Sequence, residues 1–363
     1  MPPVWRSVRE ARLIERVWEG ASAPSRLARA ALAPLAALFR GGTTLRNALY
    51  DRGILESVAG TIPVISVGNL TVGGTGKTPV SAWIAGELLR SGARPVLVTR
   101  GYGADEPLVH GMLNPGVPVI IAADRAAGVA SGAAGGATVA VLDDAFQHRS
   151  LKRTLDLVLL SAEDFSDPQR VLPAGPWREP LGALARASAA IVTRKVATDP
   201  VVSRVIMAVR RVAPALPVVV VSLEPDALRN LRDVSVLPLP ALAGKSVLVI
   251  AAIARPGSFV TQVARTGATC TPRIFPDHHP FSAAEIASLA SEAGEYDRVV
   301  CTLKDAVKLD PVWPRAAASP WYVSQRVVLG EGGDALRRLL EACADRRAIT
   351  ELHGDTPSAS ADI

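Results

Sequence analysis

The residues best suited to chemistry lie in Ile62-Pro-Val-Ile-Ser-Val-Gly-Asn-Leu-Thr-Val-Gly-Gly-Thr-Gly-Lys-Thr-Pro79. An apolar stretch runs into Gly73, Gly74, Gly76, Lys77 and Thr78 and then into a helix-forming segment. Glycines there let backbone N–H groups curl around phosphate oxygens, and the following helix turns the positive end of its dipole toward them. Lys77 is placed to reach the β and γ phosphates, and the Thr78 hydroxyl to ligate Mg²⁺. The nucleotide-contacting run is therefore Thr71, Val72, Gly73, Gly74, Thr75, Gly76, Lys77 and Thr78, although the general pattern has Gly where Thr71 stands.

A second chemical run is Thr138-Val-Ala-Val-Leu-Asp-Asp-Ala-Phe-Gln-His148. An apolar strand that ends in acids is how phosphoryl-transfer enzymes present a carboxylate to Mg²⁺ beside the phosphate loop. Asp143 has the better position, and strand alternation turns Asp144 to the opposite face, so the two acids are expected to do different jobs. Gln147 and His148, which follow them, and Arg125 are expected to contact substrate. Asp105 and Glu106 stand just after another apolar strand, in a loop at its carboxyl end, where ligand crevices of parallel sheets form. They suit a general base and a metal-associated acid. Far downstream, Phe275-Pro-Asp-His-His-Pro-Phe281 offers two adjacent histidines. Adjacent side chains do not converge on one ion, which leaves a surface turn or a His that orients a carboxylate base across the crevice.

These residues need a scaffold. Strand-like segments are Ile62 to Val67, Pro95 to Thr99, Pro118 to Ala122, Thr138 to Leu142, Leu155 to Ser161 and Ala189 to Thr193, with helical stretches such as Thr78 to Arg90 and Arg125 to Ser131 between several of them. Short strands apolar on both faces predict an α/β protein with a phosphate-loop, mostly parallel sheet covered by helices. The expected organisation is a basic N-terminal helical segment over 1–60, a nucleotide-binding domain over 61–223 and a Pro-rich linker over 224–240. A second, smaller α/β domain over 241–349 and a disordered tail over 350–363 complete it.

Charge and composition narrow the setting. Of 363 residues, 49% are hydrophobic and 20% charged, which excludes a disordered polar chain. No stretch is apolar enough for a membrane-spanning helix, and no secretion signal is recognised at the N-terminus, so the protein is expected inside the cell. Cys270, Cys301 and Cys343 lack zinc spacing and read as reduced, buried thiols. Residues 1–60 hold nine Arg, no Lys and five acids, alongside Trp5, Val8, Leu13, Val17 and Trp18 and then Leu27, Leu35, Leu38 and Phe39. Two helical segments are expected, the second near Arg26 to Phe39 with Pro34 kinking or capping it, resting on an anionic membrane surface. Guanine specificity would need Asn/Thr-Lys-x-Asp; in Thr302-Leu-Lys-Asp305 the Lys and Asp are adjacent, which favours ATP. A surface-binding module that merely holds nucleotide would not need the acids at Asp105, Asp143 and Asp144.

Together these runs resemble the tetraacyldisaccharide 4′-kinase (LpxK) family of lipid A synthesis. The likeness is carried by Gly68-Asn-Leu-Thr-Val-Gly-Gly-Thr-Gly-Lys-Thr-Pro79, Arg100-Gly-Tyr-Gly103, Asp105-Glu-Pro107 and Asp143-Asp-Ala-Phe-Gln-His148. It continues through Leu172-Pro-Ala-Gly-Pro-Trp-Arg-Glu-Pro180, Pro276-Asp-His278 and Lys304-Asp-Ala-Val-Lys-Leu309. The family's own loop has Thr at the place of Thr71. The resemblance implies transfer of the ATP γ-phosphoryl group, with Mg²⁺, to the 4′-hydroxyl of a lipid-anchored disaccharide 1-phosphate at the cytoplasmic face of the inner membrane. It further implies that Asp105 is the catalytic carboxylate, His278 its partner and Glu106 a magnesium-associated acid. Neither a nucleic acid nor an obligate protein partner is expected.

Overall fold

The computed structural model describes residues 14, 16–18, 20–101, 105–233 and 235–345. Trp5, Val8 and Leu13, Tyr102 and Gly103 of the Arg-Gly-Tyr-Gly run, and the tail 350–363 lie outside the described residues.

Helix α1 (Ala23–Asp51) starts where the Ser22 side chain accepts the Ser25 N–H and Pro24 pre-sets the first turn. It is one helix of 29 residues, not a segment broken at Pro34. Pro34 is solvent-exposed, so the backbone bond it forfeits opens toward water rather than into a core. Only Ser25 and Ala36 of α1 are buried. At 1.5 Å per residue α1 is about 44 Å long, twice the length expected from the sequence. Among the described residues no helix is long and apolar enough to cross a membrane. Trp18, expected among lipid headgroups, instead donates its indole N–H to the Pro173 carbonyl at 2.9 Å.

Strands and helices then alternate: β1 (Val64–Asn69), α2 (Lys77–Arg90), β2 (Pro95–Thr99), α3 (Asp105–Leu113), β3 (Val119–Ile121), α4 (Arg125–Ala134), β4 (Val139–Asp143), β5 (Leu155–Ser161), β6 (Ala189–Arg194), α5 (Asp199–Val212) and β7 (Val218–Asn230). The remainder is β8 (Val236–Pro238), β9 (Ser246–Ala251), α6 (Pro256–Ala264), β10 (Thr269–Ile274), α7 (Ala283–Glu292), β11 (Arg298–Thr302), α8 (Leu303–Leu309), β12 (Trp321–Leu329) and α9 (Gly333–Ala344). Every residue of β1, β2, β4 and β5 is buried, because helices cover both faces. On one face Ile65, Leu97, Val141 and Leu157 pack with Val80 and Ile84 of α2 and with Leu336 and Leu340 of α9. On the other, Val158, Leu160 and Val192 pack with Trp177 and with Val205 and Val209 of α5.

All the strands form one 12-stranded sheet in the order β10-β9-β11-β12-β7-β6-β5-β1-β4-β2-β3, with β8 on β7. The segment 224–240, expected as a linker, contains the end of β7, all of β8 and a short 3₁₀ turn at Leu239–Leu242. The two regions are therefore joined by hydrogen-bonded strands. Every pairing along the path is parallel except β7 with β12, which runs from Trp321 against Asn230 to Leu329 against Val221. Strand β7 pairs with β6 only through Val218 to Ser222 and continues past it. Its overhang carries β12, and with it β11, β9 and β10, pointing back toward the first half. One antiparallel joint thus sets the carboxyl ends of both parallel halves face to face. Helix α9 then crosses back to pack on α2.

Two elements were not read from the sequence. Strand β10 includes Pro272, which is tolerated because β10 lies at the sheet edge and bonds only to β9. Asp105 and Glu106 open helix α3 rather than sitting in a loop, and Pro107 in its first turn is the start signal. The three cysteines are free thiols, Cys301 and Cys343 buried and Cys270 half-buried.

The loop after β6 is held by one carboxylate. Glu163 accepts the N–H groups of Lys195, Val196 and Ala197 at 2.7, 2.9 and 2.9 Å. Burial raises its pKa, but the three N–H donors outweigh burial and hold it below the ordinary 4.5. The unfolded chain therefore takes up the proton first, so this stabilisation is complete above about pH 4.5 and is lost as pH falls through the folded pKa. Glu163→Gln should destabilise the protein at pH 7, and its deficit relative to wild type should shrink in urea melts at pH 4. Parallel pH dependences for the two proteins would contradict this role.

Candidate active site

The two carboxyl edges enclose a cavity of about 720 Å³. From the first half it is lined by Gly73 to Thr78, Arg100, Glu106, Arg125, Asp143, Asp144, Gln147, His148, Arg178 and Lys195; from the second, by Ile253 to Arg255, Asp277, His278 and Lys304 among others.

The phosphate loop is rigid before anything binds. Asn69 donates to the Thr75 hydroxyl at 3.0 Å, Thr193 donates to the Thr75 carbonyl at 2.9 Å, and Lys195 reaches the Gly74 carbonyl at 3.0 Å. Gly76 precedes α2 with φ of 87°, and a Cβ there would come within 2.5 Å of the Leu223 side chain. That position needs glycine on both counts. Gly73 to Thr78 line the cavity, whereas Thr71 and Val72 do not. Thr71 bridges to Trp177, and the Val72 N–H bonds to the Pro176 carbonyl at 2.8 Å, so this pair anchors the loop from behind.

The acids occupy three distinct environments. Asp143 is buried at the end of β4, 3.2 Å from the Ser81 hydroxyl and 2.9 Å from His110 Nε2. Burial pushes its carboxyl up, but His110, Lys77 and Ser81 together hold it below the ordinary range. Asp144, past the strand, has φ of 53°, a left-handed conformation unusual for a non-glycine residue. That turn cancels the strand alternation, so Asp143 and Asp144 line the same cavity instead of opposite faces. Asp144 faces Lys77 at 3.6 Å and Arg178 at 3.1 Å. Glu106 is raised above its usual range, by burial and then by the charge of Asp143.

Asp105 is 3% exposed and meets His278 from the opposite half, Oδ1 to Nδ1 at 3.0 Å. Burial raises its carboxyl, and the His278 bond with the charges of Lys304 and Lys308 outweighs burial and lowers it. Asp105 Oδ2 is buried and has no hydrogen-bond partner among the described residues. His278 has φ of 59°, so both halves place a strained residue at this point. Of the two adjacent histidines only His278 lines the cavity. His279 bonds to Glu285 at 2.9 Å and stacks on Phe275.

The remaining sequence-derived residues also line the cavity. Gln147 donates to the Asn69 carbonyl at 2.9 Å and to Glu179 at 3.1 Å. His148 is held below its usual pKa by burial and then by Arg125, which keeps its ring neutral near pH 7. Arg125 is buried and its Nη1 donates to the Ala122 carbonyl at 2.5 Å. Reading the sequence gave no role to His110, Arg178, Lys195 or Lys304. His110 falls one turn after Glu106, a spacing that becomes informative only once α3 is known to be a helix.

Glu106, Asp143, Asp144 and the Thr78 hydroxyl supply hard oxygen donors, and the crowding of Glu106 by Asp143 is what a divalent cation relieves. Among the described residues no three acids, histidines or cysteines form a metal cage by themselves. This fits Mg²⁺, which keeps water and phosphate oxygens among its ligands.

Comparison with known proteins places the chain. A family model described as tetraacyldisaccharide-1-P 4′-kinase matches residues 28–112 and 103–344. A tetraacyldisaccharide 4′-kinase of Anaeromyxobacter sp. (strain Fw109-5) is 37% identical over 366 residues, covering 92% of this chain and 97% of that protein. The one from Halorhodospira halophila is 37% identical over 298 residues, covering 77% and 83%. The crystal structure of LpxK from Aquifex aeolicus in complex with ATP superposes with a TM-score of 0.69 at 28% identity, covering 88% of this chain and 100% of that one. The chain belongs to the tetraacyldisaccharide-1-P 4′-kinase family.

Proposed function

We propose that the protein transfers the γ-phosphoryl group of ATP to the 4′-hydroxyl of a tetraacyldisaccharide 1-phosphate, a step of lipid A biosynthesis. The observation that carries this reading is the meeting of Asp105 and His278, from opposite halves of the sheet, in the cavity lined by the phosphate loop. Backbone N–H groups of Gly73 to Thr78 and the Lys77 ammonium hold the phosphates. Thr78, Glu106, Asp143 and Asp144 would hold Mg²⁺, which when bound neutralises charge on the β and γ phosphates. The acceptor oxygen attacks the γ-phosphorus, the bond from that phosphorus to the β–γ bridging oxygen breaks, and ADP leaves. The hydroxyl proton passes to Asp105, whose Oδ2 has no competing partner among the described residues, while His278 fixes Oδ1. Arg125, Gln147 and His148 face the acceptor side, and Arg178 holds Asp144 in place.

Incubation with γ-labelled ATP, Mg²⁺ and a disaccharide 1-phosphate glycolipid should yield a bis-phosphorylated product. Lys77→Ala should lower kcat by about 10²–10³ with the fold retained, the loss expected when one preorganised charge leaves a phosphoryl-transfer site. Transfer to water alone, or unaltered kcat in a folded Lys77→Ala protein, would refute the reading.

The same reading locates the protein at the cytoplasmic face of the inner membrane, attached through α1. Leu27, Leu35, Leu38 and Leu45 are 71%, 54%, 73% and 60% exposed, so they do not pack on the body of the protein. At about 100° per residue, Leu27, Leu38 and Leu45 fall within roughly 20° of one another on α1. Such a stripe flanked by Arg26 and Arg40 suits the plane of an anionic bilayer. Replacing Leu27, Leu35 and Leu38 with Ser should weaken binding to anionic vesicles at least about tenfold. Added salt should weaken binding too, and Tm should stay nearly constant. A large fall in Tm with unchanged vesicle binding would make this stripe part of the core.

A further inference from the structure

The run Lys304-Asp-Ala-Val-Lys308 has no part in the mechanism above, yet it is built against the Asp105–His278 pair. Thr302 caps α8 and donates its hydroxyl to Asp305 at 2.7 Å. Asp305 is fully buried and accepts the Ala252 N–H at 3.1 Å, while the His278 N–H bonds to the carbonyl of the same Ala252 at 3.3 Å. Lys308 pairs with Asp305 at 3.2 Å and donates to the His279 carbonyl at 3.2 Å. The start of α8 and the loop carrying His278 are thus fastened to one another and to the end of β9. From this fixed base the Lys304 ammonium approaches His278 Nε2 at 3.0 Å and Asp277 at 3.7 Å.

These two contacts on one imidazole decide where its proton is. An ionised carboxylate can only accept, so the Nδ1 that faces Asp105 carries hydrogen. An ammonium can only donate, so the Nε2 that faces Lys304 carries a lone pair. The reverse tautomer would turn a lone pair toward the carboxylate and an N–H toward the ammonium. We infer that Lys304 is a positioning residue that locks His278 as the neutral Nδ1–H tautomer and thereby fixes which oxygen of Asp105 stays open to the acceptor. With Nε2 engaged, His278 is not itself a base for the acceptor hydroxyl; its Nδ1–H holds Asp105 Oδ1, and Oδ2 is left for the proton. Lys304 lines the cavity and its charge acts on both Asp105 and Glu106, as expected of a cation brought to the reacting centre by the second half.

The kinetic arm of the test rests on the phosphoryl-transfer reading; the spectroscopic arm does not. The full chain, labelled with ¹⁵N at its five histidines, should show by long-range ¹H–¹⁵N correlation a protonated Nδ1 and an unprotonated Nε2 for His278, assigned by loss of its signals in His278→Ala. Lys304→Met should replace that pattern with a mixture of tautomers, and Lys304→Arg should keep it. Lys304→Met should lower kcat about 10- to 100-fold, the usual loss when a group orienting a functional histidine is removed. The KM for ATP should change by less than about twofold, and Lys304→Arg should recover part of kcat. In a His278→Ala background the further change to Met should alter kcat by less than about twofold, since Lys304 acts through His278.

An unchanged tautomer pattern in Lys304→Met would overturn the inference. So would a fully multiplicative loss in the double variant, or a raised KM for ATP at unchanged kcat, which would make Lys304 a nucleotide ligand. A wild-type protein with the expected tautomer and no kinase activity would instead remove the functional reading and leave the tautomer lock standing.

Discussion

The antiparallel pairing of β7 with β12 is the constraint on which the site depends. Parallel halves place their functional loops at carboxyl ends, and two halves continued in the same direction would present those loops side by side on one edge. Reversal at a strand that overhangs its neighbour makes the loops face each other instead. The consequence is a cavity whose phosphate loop, metal-suited acids and Asp105 come from one half, while His278 and Lys304 come from the other. The register shift between Val323 and Gln325 lies on this joint, beside the cavity-lining Val323 and Gln325. Any twist of the joint moves one set of groups against the other.

Burial does different things to neighbouring acids because their partners differ. Asp143 and Asp105 each have a histidine within 3.0 Å and stay charged; Glu106 has a carboxylate for a neighbour and is pushed the other way. Lys77 and Arg178 hold Asp144 at the half-exposed rim. The arrangement is one in which binding of cation and nucleotide relieves existing repulsion instead of creating new order. The left-handed Asp144 and His278 belong to the same pattern, each costing about 1–3 kcal/mol that surrounding contacts must offset.

Much of this was legible in the sequence. The phosphate loop was, because glycine positions, lysine and flanking periodicity are local signals that agree with one another. The central strands were, because burial on both faces leaves an uninterrupted apolar run. What local pattern does not carry is long-range juxtaposition: His278 was legible as a partner for a carboxylate only through resemblance, and Lys304 not at all. Helix α3 was hidden by Pro107 and Gly111, which read as a turn unless Pro107 is placed in a first helical turn. Strand β10 was hidden by a proline permitted only at an edge. Thr71 and Val72 belong to the loop motif by sequence, yet pairing with Pro176 and Trp177 withdraws them from the cavity.

The central claim is that residues from facing halves of one sheet act as a single unit on the acceptor. A double-mutant cycle on kcat with Asp105→Asn and His278→Ala measures this directly, with ATP affinity followed in parallel. The account predicts that each single change lowers kcat by about 10²–10⁴ for the carboxylate and less for the histidine, and that the double variant is little worse than Asp105→Asn alone. Fully multiplicative losses, or losses confined to ATP affinity, would show that the two halves do not meet in the working site as they do in the structure.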